Sequence, residues 1–219
     1  MIVEDLAKKA EVEIQPEVSD WTQKFHMIQG GSPETEVMEF IYGLTQLVKP
    51  DNILETGTYA GWSAAVMGYA APAAKITTLE IDEHWVNESK ALHQKLGLTN
   101  IEIRHQKSLE YEPDRDFGLM FLDSEPDIRF KELRKFYPRL LPGGFIMIHD
   151  LHNHLGFSRQ YLHEMEHWPF GSFKPQFGDL ILGHELSVIN FNTPRGFTLM
   201  QKFDPQFMSY KYLTGKEPK

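Results

Sequence analysis

The chain has 219 residues, of which 41% are hydrophobic and 24% charged, so its composition is that of an ordinary globular protein with a full core. The net charge of −9 disfavours nucleic acid as a partner, because phosphates require a basic surface. The absence of cysteine excludes disulfides, thiolate zinc sites and cysteine nucleophiles. An acidic start and the lack of a long apolar run predict a cytoplasmic protein with neither a signal peptide nor a membrane partner.

Three segments are predicted along the chain. Residues 1–31 show no long periodicity and are predicted to be an N-terminal appendage or a lid over a substrate site, and both remain open. Residues 32–203 are predicted to form one domain, and residues 204–219 a polar C-terminal tail without an assigned role. Within the domain, Ser32 and Pro33 predict a helix start, with serine as the N-cap and proline at the first helical position.

The stretch 52–63 predicts a strand, a glycine turn and a helix N-terminus. Ile53 and Leu54 form the strand, Glu55 stands at its end, and Gly57 and Gly61 frame the turn, where glycine lets the backbone approach a ligand closely. The spacing Glu-x-Gly-x-x-x-Gly differs from the Gly-x-Gly-x-x-Gly that holds a pyrophosphate, and an acid here would repel a diphosphate. A cationic ligand with an ammonium and a sulfonium group suits a glycine turn that follows an acidic residue.

The sequence of this turn, Gly-Thr-Tyr-Ala-Gly-Trp-Ser over residues 57–63, resembles motif I of class I S-adenosylmethionine-dependent methyltransferases. It is closest to the catechol and caffeoyl-CoA O-methyltransferase-like branch. The resemblance covers about residues 33–202 and implies an α/β, Rossmann-like fold. The expected sheet has seven strands, mostly parallel with an antiparallel last strand, and helices on both faces.

Later segments of the chain fit the alternation of strands and helices of a Rossmann-like fold. Residues 75–82 predict a strand with Glu80 at its end. Glu80 lies about 23 residues beyond Gly57, near the spacing at which an acidic side chain reaches the hydroxyls of a ribose. The alternative is that Glu80 is a solvated acid at the end of a strand. A helix over residues 83–96 is predicted to end at Gly97. Residues 116–123 and 145–150 predict the fourth and fifth strands, and residues 187–190 and 197–202 a closing antiparallel hairpin.

The resemblance implies a cofactor site for S-adenosylmethionine at the carboxyl edge of the sheet. Glu55 and Gly57 would border the methionine portion, Glu80 would hold the ribose, and Ile81 and Ser108 would lie near the adenine. The full predicted set of cofactor-binding residues is Glu55, Gly57, Tyr59, Gly61, Ser63, Glu80, Ile81, Ser108 and Asp123.

A divalent cation, magnesium or manganese, is the second predicted cofactor. Asp123 and Asp150 end neighbouring strands, and two converging carboxylates repel unless a proton or a cation intervenes. In the resembling branch, two such aspartates and an asparagine hold a cation that draws in the acceptor hydroxyls and lowers their pKa. An alternative is that Asp123 only orients the substrate while Asp150 is structural.

The chain departs from that pattern at two positions. Leu151 stands where the asparagine follows the second aspartate, so the third metal ligand is predicted to be His149, His152 or Asn153, and histidine ligands would favour manganese, iron or zinc. Pro126 stands where the branch has its catalytic lysine.

Without that lysine, His152 becomes the candidate general base, since a neutral imidazole works near pH 7. His152 and Asp150 are accordingly the predicted catalytic residues. The sequence His-Glu-Met-Glu-His at residues 163–167 matches a zinc-protease pattern, but no third ligand is evident and a solvated helix face is the better account.

The predicted function is methyl transfer from S-adenosylmethionine to the oxygen of a small hydroxylated molecule, a phenol or a sugar, with metal assistance left open. Amino-directed enzymes of this fold often carry Asp/Asn-Pro-Pro-aromatic after the fourth strand, where this chain has Asp-Ser-Glu-Pro at 123–126. A non-catalytic cofactor-binding module is the first alternative. A nicotinamide-dependent oxidoreductase is less favoured because it would need glycine at position 55. A homodimer is left open.

Overall fold

The structure is a computed structural model that describes residues 1–18, 24–28, 31–125, 128–150, 185–191 and 193–204. The helices are α1 (Ile2–Ala10), α2 (Thr35–Val48), α3 (Trp62–Ala70), α4 (Glu83–Leu96) and α5 (Arg129–Phe136). The strands are β1 (Gln15–Val18), β2 (Lys24–Met27), β3 (Asn52–Thr56), β4 (Lys75–Glu80), β5 (Ile101–His105), β6 (Phe117–Leu122), β7 (Leu140–His149), β8 (Leu186–Phe191) and β9 (Phe197–Lys202).

Seven strands form one sheet in the order β5-β4-β3-β6-β7-β9-β8. The pairings from β5 to β7 are all parallel, whereas β9 lies antiparallel between β7 and β8. This arrangement confirms the predicted Rossmann-like sheet with its antiparallel last strand and its closing hairpin. Strands β1 and β2 form a separate two-stranded hairpin.

The central strands β3, β4, β6 and β7 are buried on both faces over most of their length, which explains the apolar runs of β6 and β7. Successive side chains of a strand point to opposite faces. Ile53 joins a core cluster with residues of α1, α2 and α3, while its neighbour Leu54 joins a second cluster with Leu133 and Phe136 of α5. Helices therefore cover both faces, as predicted.

The N-terminal segment contains a helix that the sequence analysis missed. Val3, Leu6, Ala7 and Ala10 recur at helical spacing, are buried, and belong to the same core cluster as α2 and α3. The spacing i, i+3, i+4, i+7 was the available signal. The boundaries of the three predicted segments, and the choice between appendage and lid, stay predictions.

Two predicted helix ends had different outcomes. The helix predicted to begin at Ser32 and Pro33 begins at Thr35, because the backbone of Glu34 is still extended, with φ −57° and ψ 145°. Glu34 is the N-cap residue, but its side chain contacts His149 and does not cap the helix. Gly97 ends α4 in the left-handed conformation, with φ 74°, as predicted. Among the helices of the described ranges, none has the length and apolar character that crossing a bilayer requires.

Candidate functional site

The site lies at the carboxyl edge of the parallel strands. Strand β3 has β4 on one side and β6 on the other, so the strand order reverses here, and open α/β sheets bind ligands in the crevice that such a reversal creates. The predicted strand-end acids Glu55, Glu80, Asp123 and Asp150 all come from strands that end at this edge.

The glycine loop after β3 is held close to its neighbours. Gly57 has φ 79°, its amide donates to the Leu79 carbonyl at 3.0 Å, and a Cβ added to it would lie 2.4 Å from the Asp123 carbonyl oxygen. Gly57 is therefore required by the packing of the loop on the end of β6. A side chain at this position would meet the backbone of Asp123 and Ser124.

Glu55 is fully buried and does not present its carboxylate to the loop surface. The hydroxyls of Ser63 and Thr78 each donate to it at 2.5 Å. Burial raises the pKa of Glu55 to about 8 against the effect of these two bonds, with the negative charges of Asp123 and Glu80 adding to the increase. Glu55 and Ser63, both predicted to touch the cofactor, thus form the floor beneath the glycine loop.

Replacement of Glu55 by glutamine should remove part of the pH dependence of stability. Because the folded-state pKa is raised from 4.5 to about 8, the folded protein binds an extra proton in this window. Glu55 therefore stabilises the fold below pH 4.5, and stability falls as pH rises toward 8, by up to about 1.4 kcal/mol per pH unit.

Urea unfolding of Glu55→Gln at several pH values should show a shallower decline than the unsubstituted protein between pH 5 and 8. The matched control is Glu88→Gln, at an exposed position of α4. Parallel pH profiles for the unsubstituted protein and Glu55→Gln would show that Glu55 is ionised throughout.

Glu80 fixes the other side of the glycine loop. Its Oε2 accepts from the Tyr59 amide at 2.7 Å, and its Oε1 accepts from the amides of Ile81 and Asp82 at 2.8 and 3.0 Å. A carboxylate has about four acceptor positions, so Glu80 retains capacity for one more donor. The side chain of Ile81 is 61% exposed beside it, which leaves an apolar surface next to the acid.

Tyr59 and Gly61 shape the loop in different ways. Tyr59 adopts a left-handed φ of 48°, and its ring packs on Trp85 with centroids 3.9 Å apart and lies against the backbone of Gly31. Gly61 approaches α4 so closely that an added Cβ would lie 2.7 Å from the Ser89 side chain.

Ser108 is turned inward rather than toward the edge. It lies with the hydroxyls of Thr56 and Ser124 around the buried carboxylate of Glu132, to which the latter two donate at 2.9 and 2.6 Å. Burial raises the pKa of Glu132, against the effect of the three hydroxyls. Glu132 was not predicted, and its only sequence signal was an acid on the inward face of an amphipathic helix.

Asp123 and Asp150 converge as predicted, and His149 lies between them. Ligand atoms of these three side chains lie within 4.8 Å of one another. Each nitrogen of the His149 ring faces an acid: Nδ1 is 3.1 Å from Asp123 Oδ1, and Nε2 is 2.7 Å from Glu34 Oε2. Ionised carboxylates only accept hydrogen bonds, so the ring donates from both nitrogens.

Two arginines that the sequence analysis did not single out complete the cluster. Arg129, at the start of α5, donates to Asp123 at 3.1 Å, to Asp150 at 3.3 Å and to the His149 carbonyl at 2.6 Å. Arg195, in the turn between β8 and β9, donates to Asp150 at 3.0 Å and to the Ser32 carbonyl at 2.7 Å.

These neighbours control the protonation of His149 and Asp150. Burial alone would lower the pKa of His149, but the charges of Asp150 and Asp123 and the bond to Glu34 outweigh it and raise the pKa to about 10. Burial opposes ionisation of Asp150, but His149, Arg195 and Arg129 lower its pKa to about 2. Asp150 is thus a poor proton acceptor near neutral pH, which argues against a role as general base.

The predicted metal site fits these surroundings poorly. Two permanently charged guanidinium groups already contact the aspartate oxygens that a cation would need, and neither ring nitrogen of His149 is available as a ligand. The other predicted residues here, His152 and Asn153, lie outside the described residues, as do Pro126, Leu151 and the histidines at 163 and 167.

Known proteins resemble this chain in sequence and in fold. A family model described as a methyltransferase domain matches residues 54–151. A catechol O-methyltransferase of Niastella koreensis is 28% identical in an alignment of 136 positions. The alignment covers 57% of this chain and 61% of the relative, less than two thirds of the relative's length.

Two solved structures share the fold. An O-methyltransferase of Bacillus cereus in complex with SAH has a TM-score of 0.65 at 16% identity, over 80% of this chain and 84% of that one. A candidate caffeoyl-CoA O-methyltransferase of Staphylococcus aureus has a TM-score of 0.66 at 17% identity, over 92% and 90% of the two chains.

The chain shares its fold with these solved O-methyltransferases, and the matched methyltransferase domain contains the glycine loop and the strand-end acids.

Proposed function

We propose that the protein transfers the methyl group of S-adenosylmethionine to the oxygen of a small hydroxylated molecule, a phenol or a sugar. The observation that carries this proposal is the loop geometry: Glu80, bonded to three backbone amides, stands at the switch point of the sheet with a free acceptor position. The catechol O-methyltransferase relative supports the oxygen acceptor.

The charge at the carboxyl edge of the parallel strands suits S-adenosylmethionine better than a dinucleotide. Glu55 is buried and mostly protonated near neutral pH, so the negative charge beside the glycine loop comes from Glu80, where a pyrophosphate would need donors and no negative charge. S-adenosylmethionine supplies an electrophilic methyl group on a positively charged sulfur. It also carries two ribose hydroxyls, which can donate hydrogen bonds to a carboxylate. Glu80 would accept from one of those hydroxyls at its remaining acceptor position, and exposed Ile81 would pack on the adenine.

The chain's own contribution to the reaction is chiefly alignment. Methyl transfer requires the acceptor oxygen, the methyl carbon and the sulfur in line, so positioning accounts for much of the rate. The acceptor proton must also leave, and His152 remains the proposed base because Asp150 and His149 are held in ion pairs. A cytoplasmic location and a homodimer stay predictions.

A second candidate function is a cofactor-binding module without turnover. It is favoured by Pro126, which replaces the lysine that the resembling branch uses in catalysis. Incubation with S-adenosylmethionine and a panel of phenols, catechols and sugars, with S-adenosylhomocysteine formation as the readout, separates the two. Cofactor binding with no product from any acceptor would favour the module.

The cofactor assignment predicts that Glu80→Gln weakens S-adenosylhomocysteine binding by about 10- to 100-fold, since hydrogen bonds to a charged group contribute about 1.5–3 kcal/mol. Isothermal calorimetry measures it, and NAD should give no binding heat. The control is Glu83→Gln, at an exposed position three residues further on. Tight NAD binding without a response to S-adenosylhomocysteine would overturn the assignment.

A further inference from the structure

A group of charged side chains occupies the place where the resemblance predicts a divalent cation. It is drawn from five parts of the chain: the residues before α2, the end of β6, the start of α5, the end of β7 and the turn between β8 and β9. We call it the ion-pair cluster, and its members are Glu34, Asp123, Arg129, His149, Asp150 and Arg195.

The cluster is balanced in charge without an added ion. Arg129 and Arg195 supply two permanent positive charges against the two aspartates, and the third acid, Glu34, is paired with the His149 ring at 2.7 Å. Arg129 reaches both aspartates with one nitrogen, at 3.1 Å from Asp123 Oδ1 and 3.3 Å from Asp150 Oδ2. Arg195 lies along the whole Asp150 carboxylate, with Nε 2.9 Å from Oδ1 and a second nitrogen 3.0 Å from Oδ2.

The arginines are anchored by bonds that do not involve the aspartates. Arg129 also donates to the His149 carbonyl at 2.6 Å, and Arg195 donates to the Ser32 carbonyl at 2.7 Å. The side chains of Arg129 and Arg195 are 3% and 5% exposed. A cation entering the cluster would have to displace two buried guanidinium groups or stand next to them, where charge repulsion is weakly screened.

From this we propose that the protein works without a divalent cation, because Arg129 and Arg195 neutralise Asp123 and Asp150 in its place. The inference rests on the proposed methyltransferase function only for its consequence in turnover. Protein groups would then orient the acceptor hydroxyls. The Asp150 side chain is 18% exposed, whereas the other side chains of the cluster are 8% exposed or less. Asp150 is therefore the member of the cluster that a small acceptor can reach.

The test begins with metal binding alone. The full chain is stripped with EDTA and dialysed, and equimolar Mn²⁺ is added while the free-ion signal is followed by electron paramagnetic resonance. We expect the free Mn²⁺ signal to remain undiminished and millimolar Mg²⁺ to leave the melting temperature unchanged. Loss of the free signal that is restored in Asp150→Asn would overturn the proposal.

The second arm measures turnover with whichever acceptor reacts. Rates in excess EDTA and in Mg²⁺ should agree within twofold, whereas loss of turnover in EDTA that is regained on adding Mg²⁺ would overturn the proposal. S-adenosylhomocysteine binding is measured on the same preparation. If it fails, the proposed methyltransferase function fails while the Mn²⁺ result still decides the inference about the cluster.

Discussion

Replacing Arg129 with methionine is expected to lower the free energy of unfolding by about 3–5 kcal/mol, the usual loss when one partner of a buried ion pair is removed. Methionine fills much of the same volume but leaves Asp123 and Asp150 without the donor they share, and the His149 carbonyl without its bond. The loss should shrink as pH falls through the ordinary carboxyl range, because protonation removes the unpaired charges.

Chemical denaturation measures this change, and Lys131→Met is the matched control. Lys131 lies on the same helix, two residues away, at an exposed position, and its replacement should alter stability by no more than about 0.5 kcal/mol. Equal effects of the two substitutions would show that Arg129 does not carry the charge balance that we assign to it.

The second large effect is expected for Gly57→Val. The backbone strain of a left-handed valine costs about 1–3 kcal/mol and overpacking against the Asp123 carbonyl another 1–3 kcal/mol, so the total of about 2–6 kcal/mol approaches the whole stability of many domains. Thermal unfolding without any ligand should already show it.

The ligand-free measurement separates two explanations. If Gly57 served only to leave space for the cofactor, the variant would keep its melting temperature and lose only S-adenosylhomocysteine affinity. Gly43→Val is the control, because a Cβ at this exposed helical position meets nothing within 4 Å and the backbone is not left-handed. Its stability should change by about 0.5 kcal/mol or less.

The fold was largely predictable because its signals are local. Strands β6 and β7 are covered on both faces and contain apolar runs, and β3, β4, β6 and β7 each have an acid at or next to their end. Gly97 after α4 is a signal of the same kind. Helix α1 was missed although Val3, Leu6, Ala7 and Ala10 carry a helical period, so here the information was present in the sequence.

The interior of the site could not be predicted because its contacts are not local. Whether Ser108 faces a ligand or Glu132 depends on how α5 packs, which no spacing along the chain encodes. Likewise, the convergence of Asp123 and Asp150 follows from strand order, but the partners Glu34 and Arg195 come from a loop and a turn whose positions only the folded sheet defines.

The bond between the Arg195 amide and Glu34 joins residues 161 positions apart. Such a contact bears on the order of folding, because distant contacts form only after the entropy of closing long loops has been overcome. During synthesis, β3 to β7 can emerge and pair before the turn that carries Arg195 exists. A nascent chain that ends after residue 150 therefore has Asp150 in place but lacks one of its two arginines. Completion of the ion-pair cluster therefore requires β8 and β9, which are synthesised after the rest of the sheet.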